Sequence, residues 1–147
     1  MLQSRIIRKR GKVEHKKYKN RLWRHALSVP FVWIQIVPLV IADIFLEIYH
    51  RICFPLYRIP YVNRKDYIRI MDRPQLKYLS GFDKLACMYC GYANGWLHYA
   101  SVIAGRTEKY WCGIKHKKYK GFIPPAHHKE FLEYGNEKAF KKYTRIK

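Results

Sequence analysis

Cys87, Cys90, Cys112 and His116 have types and spacing that point to metal chemistry: a C-x2-C pair, twenty-one intervening residues, then C-x3-H. Tetrahedral zinc sites use two short ligand pairs because one tight turn aims only two donors at an ion, and a second turn must close the tetrahedron. Gly91 directly follows the second cysteine, so Cys87-Met88-Tyr89-Cys90-Gly91 is expected to form a thiolate knuckle, where the backbone needs freedom from Cβ constraints. The opposing reading is three buried thiols and a surface histidine, since cysteine packs well as a small hydrophobe. With all four positions filled by protein the ion would be structural, and zinc by ligand type, with iron or an iron–sulfur cluster as the alternative. Such an ion would supply much of the folding free energy of a small core.

The remaining donors are His98, His127, His128 and Glu130. In an extended strand His127 and His128 would point apart and not meet on one ion. Glu47-x-x-His50 has the spacing of one helix of a di-iron carboxylate bundle, but such bundles need a second helix of the same kind and the chain has none. The sequence shows no nucleophile beside a base, no glycine-rich phosphate loop and no HExxH motif. The expected role is therefore non-catalytic, with no small-molecule substrate identifiable.

The elements that must position these residues begin with an apolar stretch. Residues 29–49 supply about the ~20 mostly apolar positions that a bilayer crossing requires, interrupted by Gln35, Asp43 and Glu47. On a helix Gln35, Asp43, Glu47 and His50 fall near one line through Leu39, a narrow polar stripe. Three explanations stand: a membrane helix at the interface bent at Pro38, a core helix whose carboxylates pair with Lys or Arg elsewhere, or the di-iron ligand helix.

Basic flanks bear on topology. Ten Lys/Arg precede residue 29, and residues 51–85 carry eight more against three acids. A simple span would carry one strongly basic flank across the bilayer, whereas an in-plane or re-entrant helix keeps both on the cytoplasmic face. Phe31, Trp33, Ile41 and Phe45 are the expected membrane-binding residues. Residues 53–61, aromatic and proline-rich, suit a membrane–water boundary. Cys53 stands beside the helix as an acylation candidate or a plain buried thiol. No cleavage is expected after the charged start, because no small-x-small pattern follows the apolar segment.

The chain of 147 residues has a formal charge of +20, which calls for a polyanionic partner. The string His-Lys-Lys-Tyr-Lys occurs at 15–19 and again at 116–120, so Lys16, Lys17, Lys19, Lys117, Lys118 and Lys120 are the expected polyanion contacts. Lysine with interleaved tyrosine serves a lipid headgroup layer and a nucleic acid equally well. The cysteines imply a reducing compartment, since three belong to the metal motif and no even disulfide set remains.

The expected organisation is a basic arm over 1–28, an apolar membrane-associated helix and boundary segment over 29–61, a metal-binding core over 62–120, and a basic C-terminal helix within 121–147. Within the core, Asn94 to Tyr110 reads as a helix with a small-residue apolar face; Lys129 to Tyr143 reads as another, its acids ahead of its bases in accord with the helix dipole. The fold class is mainly α: an apolar membrane-associated helix plus a small Cys/His metal-binding core with basic helical extensions. The strings Cys-x-Tyr-Cys-x-Tyr-x-Asn-Gly from Cys87 and Thr-Glu-x-Tyr-Trp-Cys-x-Ile-Lys-His to His116 resemble an uncharacterised family of small bacterial proteins. The resemblance implies a bacterial origin and assigns no residue a role. The expectation is a zinc-binding adaptor or assembly subunit on the cytoplasmic face of a bacterial membrane, with an anionic membrane surface and a protein as partners. The alternatives are a soluble nucleic-acid or ribosome-binding zinc module and an iron-dependent redox protein.

Overall fold

In a computed structural model of the chain, residues 20–69 and 73–145 are described. They are mainly helical: α1 (Arg21–Ile34), α2 (Ile36–Tyr57), α3 (Gly81–Trp111) and α4 (Glu137–Arg145), with short 3-10 turns at Arg64–Asp66, Arg73–Gln75 and Ala126–Glu130. No strand occurs among the described residues, and Ile114 and Leu132 form an isolated parallel bridge. Contacts divide the chain into two compact units, one ending at Ile41 and the other beginning at Ala42.

The first unit holds α1 and the start of α2, with Gln35 as a turn residue between them. Pro38 explains the break, because it has no N–H to give the Ile34 carbonyl. The ladder resumes at once, with Leu39 N donating to Gln35 O at 3.3 Å. The apolar residues of this unit, including Phe31, Ile34, Val37 and Ile41, are exposed, and Trp33 is half-buried.

In the second unit, α2 turns a face made of Asp43, His50 and Phe54 inward, all buried. Steps of three and four residues keep these side chains on one face. The core is small: Phe54, Val62, Tyr99 and Ile103, joined by partly buried Leu46, Tyr49, Ile59, Tyr67, Ile68 and Val102. Four fully buried apolar side chains at roughly 1.5–3 kcal/mol each cannot order a unit of this size alone, so polar contacts between α2, α3 and the intervening segment share the task.

α3 runs for 31 residues, close to 46 Å at ~1.5 Å per residue. Ser80 caps it by accepting from Asp83 N at 3.2 Å and donating to Asp83 Oδ2 at 2.8 Å. The expected helix over Asn94 to Tyr110 is thus part of a longer one that begins before the cysteine pair. The expected knuckle is absent: Cys87 to Gly91 is continuous α-helix. The C-terminal expectation also changes. Residues 126–130 are a 3-10 turn and the helix begins only at Glu137, because Gly135, at φ 78, interrupts the helical backbone between them.

Close backbone packing on α3 requires a glycine at position 95. A Cβ at Gly95 would sit 2.7 Å from Tyr67 O and 2.9 Å from Ile68 Cα, and backbone cannot yield as a flexible side-chain end does. Gly95 therefore admits the segment that carries Arg64 toward α2. Gly95→Ala should destabilise the unit by about 1–3 kcal/mol, as overpacking does. Gly81→Ala, where a Cβ meets nothing within 4 Å, should leave stability unchanged or raise it. Denaturant midpoints in a mild detergent compare the two, and equal midpoints would refute the close-approach account.

Candidate functional site

Two polar clusters lie in the second unit, at different places along α3. The first is built on the stripe of α2. Arg64, on the 3-10 turn Arg64–Asp66, grips Asp43 with both guanidinium arms: Nη1 to Oδ1 at 2.6 Å and Nη2 to Oδ2 at 2.5 Å. Its Nη1 also reaches Glu47 Oε1 at 3.1 Å. Such a fork-to-carboxylate pair is stronger and more directional than a lysine contact. From α3, Tyr92 OH donates to Asp43 Oδ2 at 2.6 Å and Tyr99 OH donates to Glu47 Oε1 at 2.6 Å.

His50 completes the chain of bonds. Its Nε2 faces Val62 N–H at 3.1 Å and must accept, so the ring is neutral with its proton on Nδ1. Nδ1–H then points to the Tyr99 oxygen at 2.9 Å, and Tyr99 passes its own proton toward Glu47. The ring stacks on Tyr61 with centroids 3.9 Å apart, and Arg64 lies over the Tyr99 ring at 5.6 Å. These bonds pair the carboxylates of the stripe with an arginine from elsewhere in the chain, in place of the di-iron ligand role. Gln35 is exposed and takes no part. Burial pushes Tyr92 up to about 12, helped by its bond to Asp43 and that carboxylate's charge. Bonding to Asp43 is also the main cause holding Arg64 above its ordinary value.

The second cluster lies near the C-terminal end of α3. Glu108 stands in the last turn, and the chain returns to it through Lys115 N to Leu132 O and Leu132 N to Gly113 O, both 2.8 Å. That bridge sets the 3-10 turn Ala126–Glu130 against the helix. His127 Nε2 then lies 2.8 Å from Glu108 Oε2, and His128 Nε2 3.1 Å from Oε1. Adjacent histidines do meet one group here, since a 3-10 turn rotates neighbours by about 120° rather than the half-turn of a strand, and the carboxylate offers each its own oxygen. Burial pushes the Glu108 carboxyl up, but the His127 bond and the neighbouring His128 more than offset it and hold it below the usual carboxylate value.

The four residues of the C-x2-C and C-x3-H motif are not brought together. Cys87 and Cys90 sit one turn apart on α3, while Cys112 caps its far end, roughly 33–38 Å along the axis at ~1.5 Å per residue. His116 lies elsewhere again, its ring centre 5.4 Å from that of His128. So the C-terminal half of the motif borders the Glu108 cluster and the cysteine pair does not. Among the described residues, Glu108, His127 and His128 are the one set of three His, Cys, Asp or Glu donors whose ligand atoms all lie within 4.8 Å of one another. Glu108 was missed in the sequence because it has no motif partner nearby. Its signal, two histidines after a Pro-Pro, needed the chain reversal to be known.

Of the other expected residues, Phe31, Ile41 and Phe45 are exposed, as are Lys117, Lys118 and Lys120. Lys16, Lys17 and Lys19 lie outside the described residues. His98 is exposed with its ring edge-on to Tyr67 at 4.9 Å, and Glu130 pairs with Lys109. Cys53 is half-buried. Comparison with protein-family models, curated proteins and solved structures gives no match to this chain.

Arg64→Met should cost about 2–3 kcal/mol, below the ~3–5 kcal/mol of a wholly buried pair because a third of the arginine side chain is exposed. Adding Asp43→Asn should recover much of that loss, and a double-mutant cycle by chemical denaturation measures it; additive costs would refute the network. Tyr92 gives a separate test. Its folded value is raised from 10.0 to about 12, so its contribution is complete below pH 10 and is lost as pH rises through 12. Stability of the wild type should fall more steeply than that of Tyr92→Phe across that window, as read by alkaline unfolding followed by circular dichroism.

Proposed function

We propose that the chain is a membrane-associated, non-catalytic adaptor or assembly protein held by α1 and α2. One observation carries this reading: the polarity of α2 is inverted relative to a helix in a water-soluble core. Its carboxylates and histidine face protein, while Ile44, Phe45, Ile48, Ile52 and Leu56 face outward at 49–73% exposure. The apolar helical stretch Leu22–Tyr57 is long and apolar enough to cross a bilayer, and very little of it is buried within the protein. Large contiguous apolar surface is unfavourable in water at about 25 cal/mol per Å². Against lipid tails the same surface is at no disadvantage, and polar side chains there turn inward and pair.

The topology we favour is re-entrant or in-plane, with the basic flanks on the cytoplasmic face. The charge of +20 supports an anionic leaflet, where each nearby lysine or arginine contributes roughly 1 kcal/mol. Lys117, Lys118 and Lys120 are exposed and free to take part. Partner recognition would fall to the second unit, whose α3 exposes Phe82 and Leu85 and, further on, Leu97 and Trp111.

Ile41→Asp with Phe45→Asp should release the protein from membranes. A carboxylate near a helix centre costs about 2.5–3.5 kcal/mol on insertion scales, so two should lower partitioning by about 1,000-fold or more. Fractionation with high-salt and carbonate washes reads this, with Lys117→Gln as a control that should stay bound. Retention of the double variant in carbonate-washed membranes would refute the reading. Its aggregation in a membrane-free preparation, where the wild type stays dispersed, would show α2 to be a soluble core helix and favour the nucleic-acid-binding module instead.

A further inference from the structure

The Glu108 cluster is more than a tether for the tail. A tetrahedral ion with bonds of ~2.0–2.1 Å holds its ligand atoms about 3.3 Å apart. The Nε2–carboxylate separations of 2.8 and 3.1 Å are within a few tenths of an ångström of that edge, and all three donors lie within 4.8 Å of one another. An ion would need the two Nε2–carboxylate pairs to spread slightly and any wider donor pair, up to 4.8 Å, to close toward it.

Both rings are held in place by packing. His127 lies against Gly105 so closely that a Cβ there would meet its Cγ at 2.8 Å and its Nδ1 at 3.0 Å. His128 is 2% exposed and stacks on Phe131 with centroids 4.8 Å apart. The His128 Nδ1 is buried with no partner among the described residues. Both rings aim Nε2 at a single carboxylate, and one of them does so from a fully enclosed position. His127 also lines a groove of about 860 Å³ with Arg106, Tyr110 and Lys129, so one side of the cluster is open.

We propose that Glu108, His127 and His128 bind one divalent first-row transition-metal ion, with a fourth position open to the groove and filled by water. Two imidazoles and a carboxylate suit zinc, with cobalt, nickel and manganese weaker or competing according to availability. Three protein ligands with an exchangeable fourth distinguish this site from the closed four-ligand arrangement that the cysteine motif suggested. Binding exchanges the Nε2–H bonds to Glu108 for nitrogen lone pairs on the metal, so each ring carries its proton on Nδ1 in the loaded form. This inference does not depend on membrane attachment.

Metal-stripped full-length protein in detergent would be titrated with Co²⁺ and then Zn²⁺. One equivalent should bind, with a visible cobalt spectrum of N/O ligation lacking thiolate charge-transfer intensity. Losing a ligand should weaken binding beyond the ~10–100-fold typical of second-shell changes, in each of Glu108→Gln, His127→Gln and His128→Gln. Cys87→Ser with Cys90→Ser, and His116→Gln, should bind as the wild type does. Since a ligand variant could unfold locally, imidazole nitrogen NMR of the wild type gives a second reading: Zn²⁺ should move the proton of both His127 and His128 from Nε2 to Nδ1. No binding, binding retained in the three ligand variants, thiolate charge-transfer bands, or unmoved imidazole protons would each overturn the proposal. Loss of binding in His116→Gln would overturn the open fourth position.

Discussion

Everything in the second unit depends on keeping two carboxylates of an apolar helix away from solvent and satisfied. Asp43 and Glu47 lie one turn apart, and without a cation each would carry an unpaired charge against α3. Arg64 bonds to both. To reach them the chain must reverse immediately after α2, and it does so at Arg58, which adopts φ 56, while Ile59 N donates back to Phe54 O at 2.9 Å. Arg106 of α3 holds the reversed segment through the carbonyls of Pro60 at 2.6 Å and Tyr61 at 3.3 Å. The requirement for one guanidinium at one place thus explains the turn, the close pass over Gly95, and the tyrosines at 92 and 99.

The stripe was legible because periodicity survives folding. Asp43, Glu47 and His50 share a face whatever they pack on, so the sequence alone shows that something must meet them. What met them was not legible: Arg64 is one of 30 basic residues, and nothing local distinguishes it from its neighbours. The same limit applies to Glu108. Pairing across 19 and 20 residues to His127 and His128 depends on a chain reversal that Gly113, Ile114 and Leu132 create through two backbone bonds.

The cysteine motif misled for a physical reason. C-x2-C places two thiols three residues apart, which is the spacing of a metal knuckle and also of neighbours on one helical face. The deciding feature is the flanking sequence. Ser80 and Asp83 start a helix that no proline interrupts before Trp111, and helix propagation, once nucleated, continues at low cost per residue. Gly91 suits the expected knuckle; in α3 it is tolerated within the helix, as is Gly95, where the close pass of the Tyr67–Ile68 backbone requires a glycine.

On the proposed membrane attachment, the inverted polarity of α2 would also account for so small an apolar core. A helix in water must bury its hydrophobes to recover the entropy of ordering. When lipid solvates that surface, burial within the protein contributes less, and specific polar contacts decide which faces meet. The interface between α2 and α3 fits this division of labour. Phe54, Tyr99 and Ile103 fill a short apolar section, while Arg64, Tyr92, Tyr99 and His50 fix the register. Changing the register by one residue would move Asp43 and Glu47 off Arg64 and expose them to whatever surrounds the helix. In hydrocarbon that penalty would be far larger than in water, so the proposed membrane environment, in making the exposed face tolerable, would also make the inward network obligatory.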